Sequence, residues 1–111
     1  MTDASQERWV HVASTADVEA EEPIQVDVEG HKIALYRVDD NYYATDDLCT
    51  HEEASLADGF LDGTVIECPL HQGTFCIKTG KPLSPPVDTP VRTYDVKVDG
   101  DAIYVRYAAG A

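Results

Sequence analysis

Apolar and polar residues alternate with a period of two through most of this chain. Trp9, Val10, His11 and Val12 open one such run, and Ile24, Val26 and Val28 form another that stops at Gly30. Ile33, Leu35 and Tyr36 follow, ending at Val38. Asp39-Asp40-Asn41 reads as a turn, and Tyr42-Tyr43-Ala44-Thr45 reads as the returning strand. Near the other end, Tyr94, Val96 and Val98 alternate, Asp99-Gly100 gives a hairpin signal, and Ile103-Tyr104-Val105 returns. No window keeps a helical period with caps at both ends. Residues 14–22 could hold one helical turn.

The middle of the chain reads differently. Residues 46–86 are rich in prolines and glycines, with short strands expected at 63–67 and 74–77. Thr79-Gly80-Lys81-Pro82 reads as a turn and Ser84-Pro85-Pro86 as a rigid loop. The expected fold class is all-β, with an antiparallel β-sandwich scaffold built from both chain ends and a loop-rich insert at 46–86. Residues 1–111 then form a single domain. There are no internal repeats, and the tail 108–111 is expected to fray.

Composition narrows the function classes. With 43% hydrophobic residues in 111, one modest core is available, and a metal centre would help to stabilise it. Twenty-one acidic residues against 8 basic ones give a net charge of −13. This argues against nucleic acid, which is bound by neutralising phosphates. The acidity serves either solubility or steering toward basic surfaces on partner proteins. No apolar run is long enough for a membrane span, and MTDASQERW lacks the features of a secretory signal, so a cytoplasmic location is expected. In a reducing compartment, 3 cysteines point to metal or thiol chemistry in preference to disulfides.

The chemistry concentrates in Cys49-Thr50-His51 and, 16 residues later, Cys68-Pro69-Leu70-His71. Each half places a thiolate and an imidazole on one short loop. Two irons bridged by two sulfides need four terminal ligands, and each loop could send its Cys to one iron and its His to the other. Ferric irons, sulfides and two thiolates then carry no net charge, so one added electron is tolerated. A structural Zn²⁺ held by the same Cys2His2 set is the alternative, although the C-x-H half fits usual zinc spacing poorly.

The C-x-H…C-x-x-H pattern resembles that of Rieske proteins. The stretch CTHEEASLADGFLDGTVIECPLHQGTFCIKTGKPLSPPV is most similar to the small ferredoxins of bacterial aromatic-ring-hydroxylating dioxygenases, such as the biphenyl and benzene systems. The likeness is closest from Leu48 to Val87 and weaker over nearly all the rest. It implies a Rieske fold and one [2Fe-2S] cluster held by Cys49, His51, Cys68 and His71. It also implies a monomeric single-electron carrier without catalytic residues. Such a carrier takes electrons from a flavin-dependent NAD(P)H ferredoxin reductase and passes them to a terminal Rieske oxygenase in aromatic hydrocarbon catabolism. The small Rieske-like subunit of an assimilatory nitrite reductase is the competing reading within the same fold. An oxygenase subunit itself would need a second, mononuclear iron on two His and a carboxylate. Only His11 and His31 are left over, and neither has a paired cysteine.

The resemblance also bears on potential. High-potential relatives carry two further cysteines in these loops, which form a disulfide, and place Ser and Tyr hydroxyls near the cluster sulfurs. Here Glu52-Glu53-Ala54 follows His51, Leu70 lies between Cys68 and His71, and Gly73 and Phe75 occupy the hydroxyl positions. The implied potential is at the low end of the Rieske range, about −150 mV. The carboxylates Glu52, Glu53, Asp58 and Asp62 either lower it further or form a solvated rim. Pro85 and Pro86 resemble the loop that covers the cluster in this family. Cys76, within Phe75-Cys76-Ile77, is expected to be a buried structural thiol.

Overall fold

The computed structural model describes residues 7–50, 53–70, 73–85 and 87–108. Among the described residues, eleven strands run in the order β1 (Glu7–Ser14), β2 (Ile24–Val28), β3 (His31–Val38), β4 (Asn41–Asp46), β5 (Phe60–Asp62), β6 (Val65–Glu67), β7 (Thr74–Cys76), β8 (Pro82–Ser84), β9 (Thr93–Tyr94), β10 (Val96–Asp99) and β11 (Ala102–Ala108). They form three antiparallel sheets with strand orders β1-β11-β10, β2-β3-β4-β9 and β5-β6-β7-β8. The helical turn expected at 14–22 is one 3-10 turn, Thr15–Asp17. It is closed by a capping box in which the Ser14 hydroxyl accepts from Ala16 N–H and Asp17 accepts from Ser14 N–H.

Turn chemistry sets the register of the scaffold. Val28 pairs with His31 across Glu29 and Gly30, both at positive φ (55° and 87°), which matches the twist of a two-residue hairpin. Val38 pairs with Asn41 across Asp39-Asp40, and Asp99 with Ala102 across Gly100-Asp101. β3 is central because it is apolar on both faces: Ile33, Ala34, Leu35 and Tyr36 are all fully buried. Ile33 and Leu35 face a core shared with Val28, Ile103 and Val105 from the first two sheets and with Val18, just after the 3-10 turn at Thr15–Asp17. Ala34 and Tyr36 face a second core with Cys49, Leu56, Ile66, Cys68, Phe75 and Ile77. One strand therefore fastens the small third sheet to the sandwich.

Three details differ from the sequence expectation. Tyr94, Val96 and Val98 do not form one strand: the chain changes sheet at Asp95, where β9 pairs with β4 and β10 pairs with β11. The strand expected at 63–67 begins at Val65, because Gly63 takes φ 59° in the turn after β5. Pro82–Ser84, expected within turn and loop, is strand β8 at the outer edge of the third sheet, where proline is tolerated. The turn before it needs Gly80. Its φ is +80°, and a Cβ there would lie 2.0 Å from the Val91 carbonyl oxygen.

Candidate metal centre

Two loops project from this framework with a shared construction. β4 runs into the first, where Leu48 bridges Ser55 and Cys49 N–H donates to the Ala54 carbonyl at 3.0 Å. β6 and β7 carry the second, where Glu67 pairs with Thr74 and Cys68 N–H donates to the Gly73 carbonyl at 2.8 Å. In both, a cysteine closes the base of a loop by bonding to the residue five positions on, and both thiols are buried (3% and 0% exposed) in the same core. His51 and His71, with Glu52 and Gln72, lie outside the described residues. So does Pro86 of the third loop, in which Pro85 is exposed.

Hydrogen bonds tie the first loop to its surroundings on both sides. The Thr50 hydroxyl donates to the Thr89 carbonyl at 2.8 Å, linking it to the proline loop. Asp47, 3% exposed, accepts at Oδ1 from Ser55 Oγ and Ala57 N–H (2.9 Å each) and at Oδ2 from Gln25 Nε2 (2.7 Å). Its backbone takes the Leu56 N–H and donates to the Lys32 carbonyl. Sequence reading missed Asp47, Gln25 and Thr50. In so acidic a chain, Asp46-Asp47 looks like a solvated pair, and only the burial separates them.

Asp46 points the other way. Its Oδ1 receives Tyr94 OH at 2.5 Å and faces His31 Nε2 at 2.7 Å, while the Tyr107 ring stacks on Tyr94. Burial, then the Asp46 hydrogen bond, raises the Tyr94 phenol above its ordinary value. Burial does the same for Tyr36. Thr45 spends its hydroxyl proton on the Asp46 carbonyl, so Tyr36 OH must donate to Thr45. A groove of about 680 Å³ separates His31 and Asp46 from the first loop, reaching Cys49, Thr50 and Ala54. His11 lies against the Tyr104 ring, on the sheet formed by β1, β10 and β11.

The surroundings of the second loop bear on sulfur hydrogen bonding. Phe75 is fully buried and Gly73 has no side chain. The nearby Thr74 hydroxyl is paired with Ser84 Oγ at 2.7 Å. Cys76 corrects an expectation. It alternates outward between buried Phe75 and Ile77, so it is half-exposed, and a hydrogen bond with Thr79 draws its thiol below the ordinary range.

Two buried thiols, one from each of two similarly closed loops, fit a two-iron cluster that takes one cysteine from each loop. The chain belongs to the Rieske [2Fe-2S] family, whose domain matches residues 8–95. Within it, the chain groups with ferredoxin components of dioxygenase systems. The ferredoxin component of the naphthalene 1,2-dioxygenase system of Pseudomonas aeruginosa is 43% identical over 99 residues, 89% of this chain and 95% of the relative. A ferredoxin of Sphingomonas yanoikuyae B1 superposes with a TM-score of 0.86 at 38% identity, over 90% of this chain and 99% of that one. The ferredoxin in a complex with the reduced oxygenase of carbazole 1,9a-dioxygenase gives 0.83 at 43% identity, over 87% and 91%. The chain thus carries a single [2Fe-2S] cluster and, like these relatives, is an electron carrier and not a catalyst. This decides against the zinc and nitrite-reductase readings. Among the described residues no helix is long and apolar enough to cross a membrane.

Proposed function

We propose that Cys49, His51, Cys68 and His71 hold the cluster, one Cys–His pair from each loop. The matched closure of the two cysteine-bearing loops carries this reading. The cluster supplies a one-electron couple, and the protein's part is to fix both loops, exclude water from the thiols and leave the loop ends able to meet a partner. Residues 46–86 act as a cluster-binding subdomain inside a single domain spanning 1–111. The monomeric chain works in the cytoplasm. It takes electrons from a flavin-dependent NAD(P)H ferredoxin reductase and delivers them to the terminal oxygenase of a ring-hydroxylating system. The solved oxygenase–ferredoxin complex of a relative supports the second half of that route.

The potential belongs at the low end of the Rieske range, about −150 mV, because Gly73 and Phe75 offer no hydroxyl and Thr74 is engaged by Ser84. Reconstitution tests the role. The purified protein should be reduced by NADH through a flavin reductase and should restore turnover to a ring-hydroxylating oxygenase that lacks its own ferredoxin. Reduction without any transfer to such oxygenases would contradict it.

A further inference from the structure

Asp47 is a buried carboxylate two positions before Cys49, and each of its three side-chain partners is a neutral donor: Ser55 Oγ, Ala57 N–H and Gln25 Nε2. No cationic side chain is among these partners. Among the described residues these neutral donors hold the carboxylate in place without cancelling its charge, and at 3% exposure that charge is less screened by water than one at the surface. Burial first, and this carboxylate in smaller part, raise the phenol of Tyr36, which packs in the core that also holds Cys49 and Cys68.

We infer that Asp47 is a positioning residue of the cluster site: it clamps the two ends of the first loop together and supplies a fixed negative charge that holds the cluster's midpoint potential down. The clamp is geometric. Asp47 leaves β4, Ser55 and Ala57 lie on the far side of the loop, and Gln25 anchors the carboxylate to β2. The charge effect follows from the reaction. Reduction adds one electron to the cluster, and an uncancelled negative charge nearby opposes it. The inference rests on Cys49 being a ligand.

Two substitutions separate charge from clamp. Asp47→Asn keeps the shape and removes the charge. Gln25→Leu, on β2, removes one donor but keeps the side-chain bulk that closes over the carboxylate, and so leaves it less compensated. Asp101→Asn, in the exposed turn between β10 and β11, controls for net charge alone. Potentials come from voltammetry on cluster-loaded protein, with visible absorption, EPR and thermal melting alongside. Asp47→Asn should raise the potential by more than Asp101→Asn does, Gln25→Leu should lower it, and both should melt earlier than the parent. A shift in Asp47→Asn no larger than the control, or shifts of the same sign in Asp47→Asn and Gln25→Leu, would overturn the inference. If Asp47→Asn cannot hold a cluster, the Gln25→Leu potential decides: a fall supports the charge role, and no fall defeats it. A Cys49→Ala variant that keeps the parent spectrum would instead defeat the ligand assignment, whatever Asp47 does.

Discussion

At the scale of single residues, the three cysteines have separable roles. Cys49 and Cys68 are buried at the bases of their loops, whereas Cys76 is half-exposed with its thiol lowered by Thr79. Cys76→Ala should keep the cluster spectrum and cost less than about 1 kcal/mol, since little packing is lost. Cys49→Ala and Cys68→Ala should lose the cluster. Iodoacetamide applied to the native holo-protein should add a single label, at Cys76, as read by peptide mass spectrometry. Labelling of Cys49 or Cys68 ahead of Cys76 would contradict the assignment. Two tyrosines predict the alkaline limit. The phenols of Tyr36 and Tyr94 are raised when folded, so their contribution is fully present below the unfolded value, about 10, and is lost as pH rises past it. Denaturation midpoints should therefore show no loss from these groups up to about pH 10 and should fall above it. Tyr94→Phe should shrink that fall, and an identical alkaline fall in the variant would remove Tyr94 from the account.

Among elements, the hairpins were readable because turn chemistry and period-two alternation act over a few residues. Gly30 and Asp39-Asp40 sit in turns where the pattern placed them, and the last turn, Gly100-Asp101, lies one residue beyond the expected Asp99-Gly100. The strands of the third sheet were harder to read: β5, β6, β7 and β8 have three residues each, too few to show a period. The sheet change at Asp95 follows from long-range pairing, which leaves no local mark. The cysteine–histidine spacing was conspicuous in the sequence, yet Asp47 was not, because its burial is created by Gln25 and Ser55 closing over it. Gly80 offers an element-scale test. Gly80→Ala forces a side chain into a left-handed conformation against the Val91 carbonyl. It should destabilise the protein by about 2 kcal/mol or more, seen as a lower denaturation midpoint. A midpoint equal to that of the parent would show that the 80–91 contact is looser than described.

The whole molecule is a strongly acidic electron carrier with a net charge of −13. Glu53 is exposed on the first loop beside apolar, exposed Leu48, while Leu70 and Leu83 are exposed on the second loop and on β8. Glu52, next to His51, lies outside the described residues. Strong acidity combined with exposed apolar side chains suits a brief encounter in which charge sets the association rate. Stopped-flow electron transfer to the oxygenase should slow as salt screens these charges over about 8 Å at physiological ionic strength, and should slow further in a Glu52→Gln, Glu53→Gln double variant of unchanged potential. Rates indifferent to salt and to both substitutions would leave the apolar residues as the docking force and the acidity as a solubility feature.

Ligand identity is the claim on which everything else depends, and pulsed EPR of the reduced holo-protein reads it most directly. Two histidine ligands on one iron predict two strongly coupled nitrogens in the parent protein, with that pattern lost in His51→Ala and in His71→Ala while His31→Ala retains it. A reduced cluster without nitrogen coupling, or one whose coupling survives both His51→Ala and His71→Ala, would contradict the assignment.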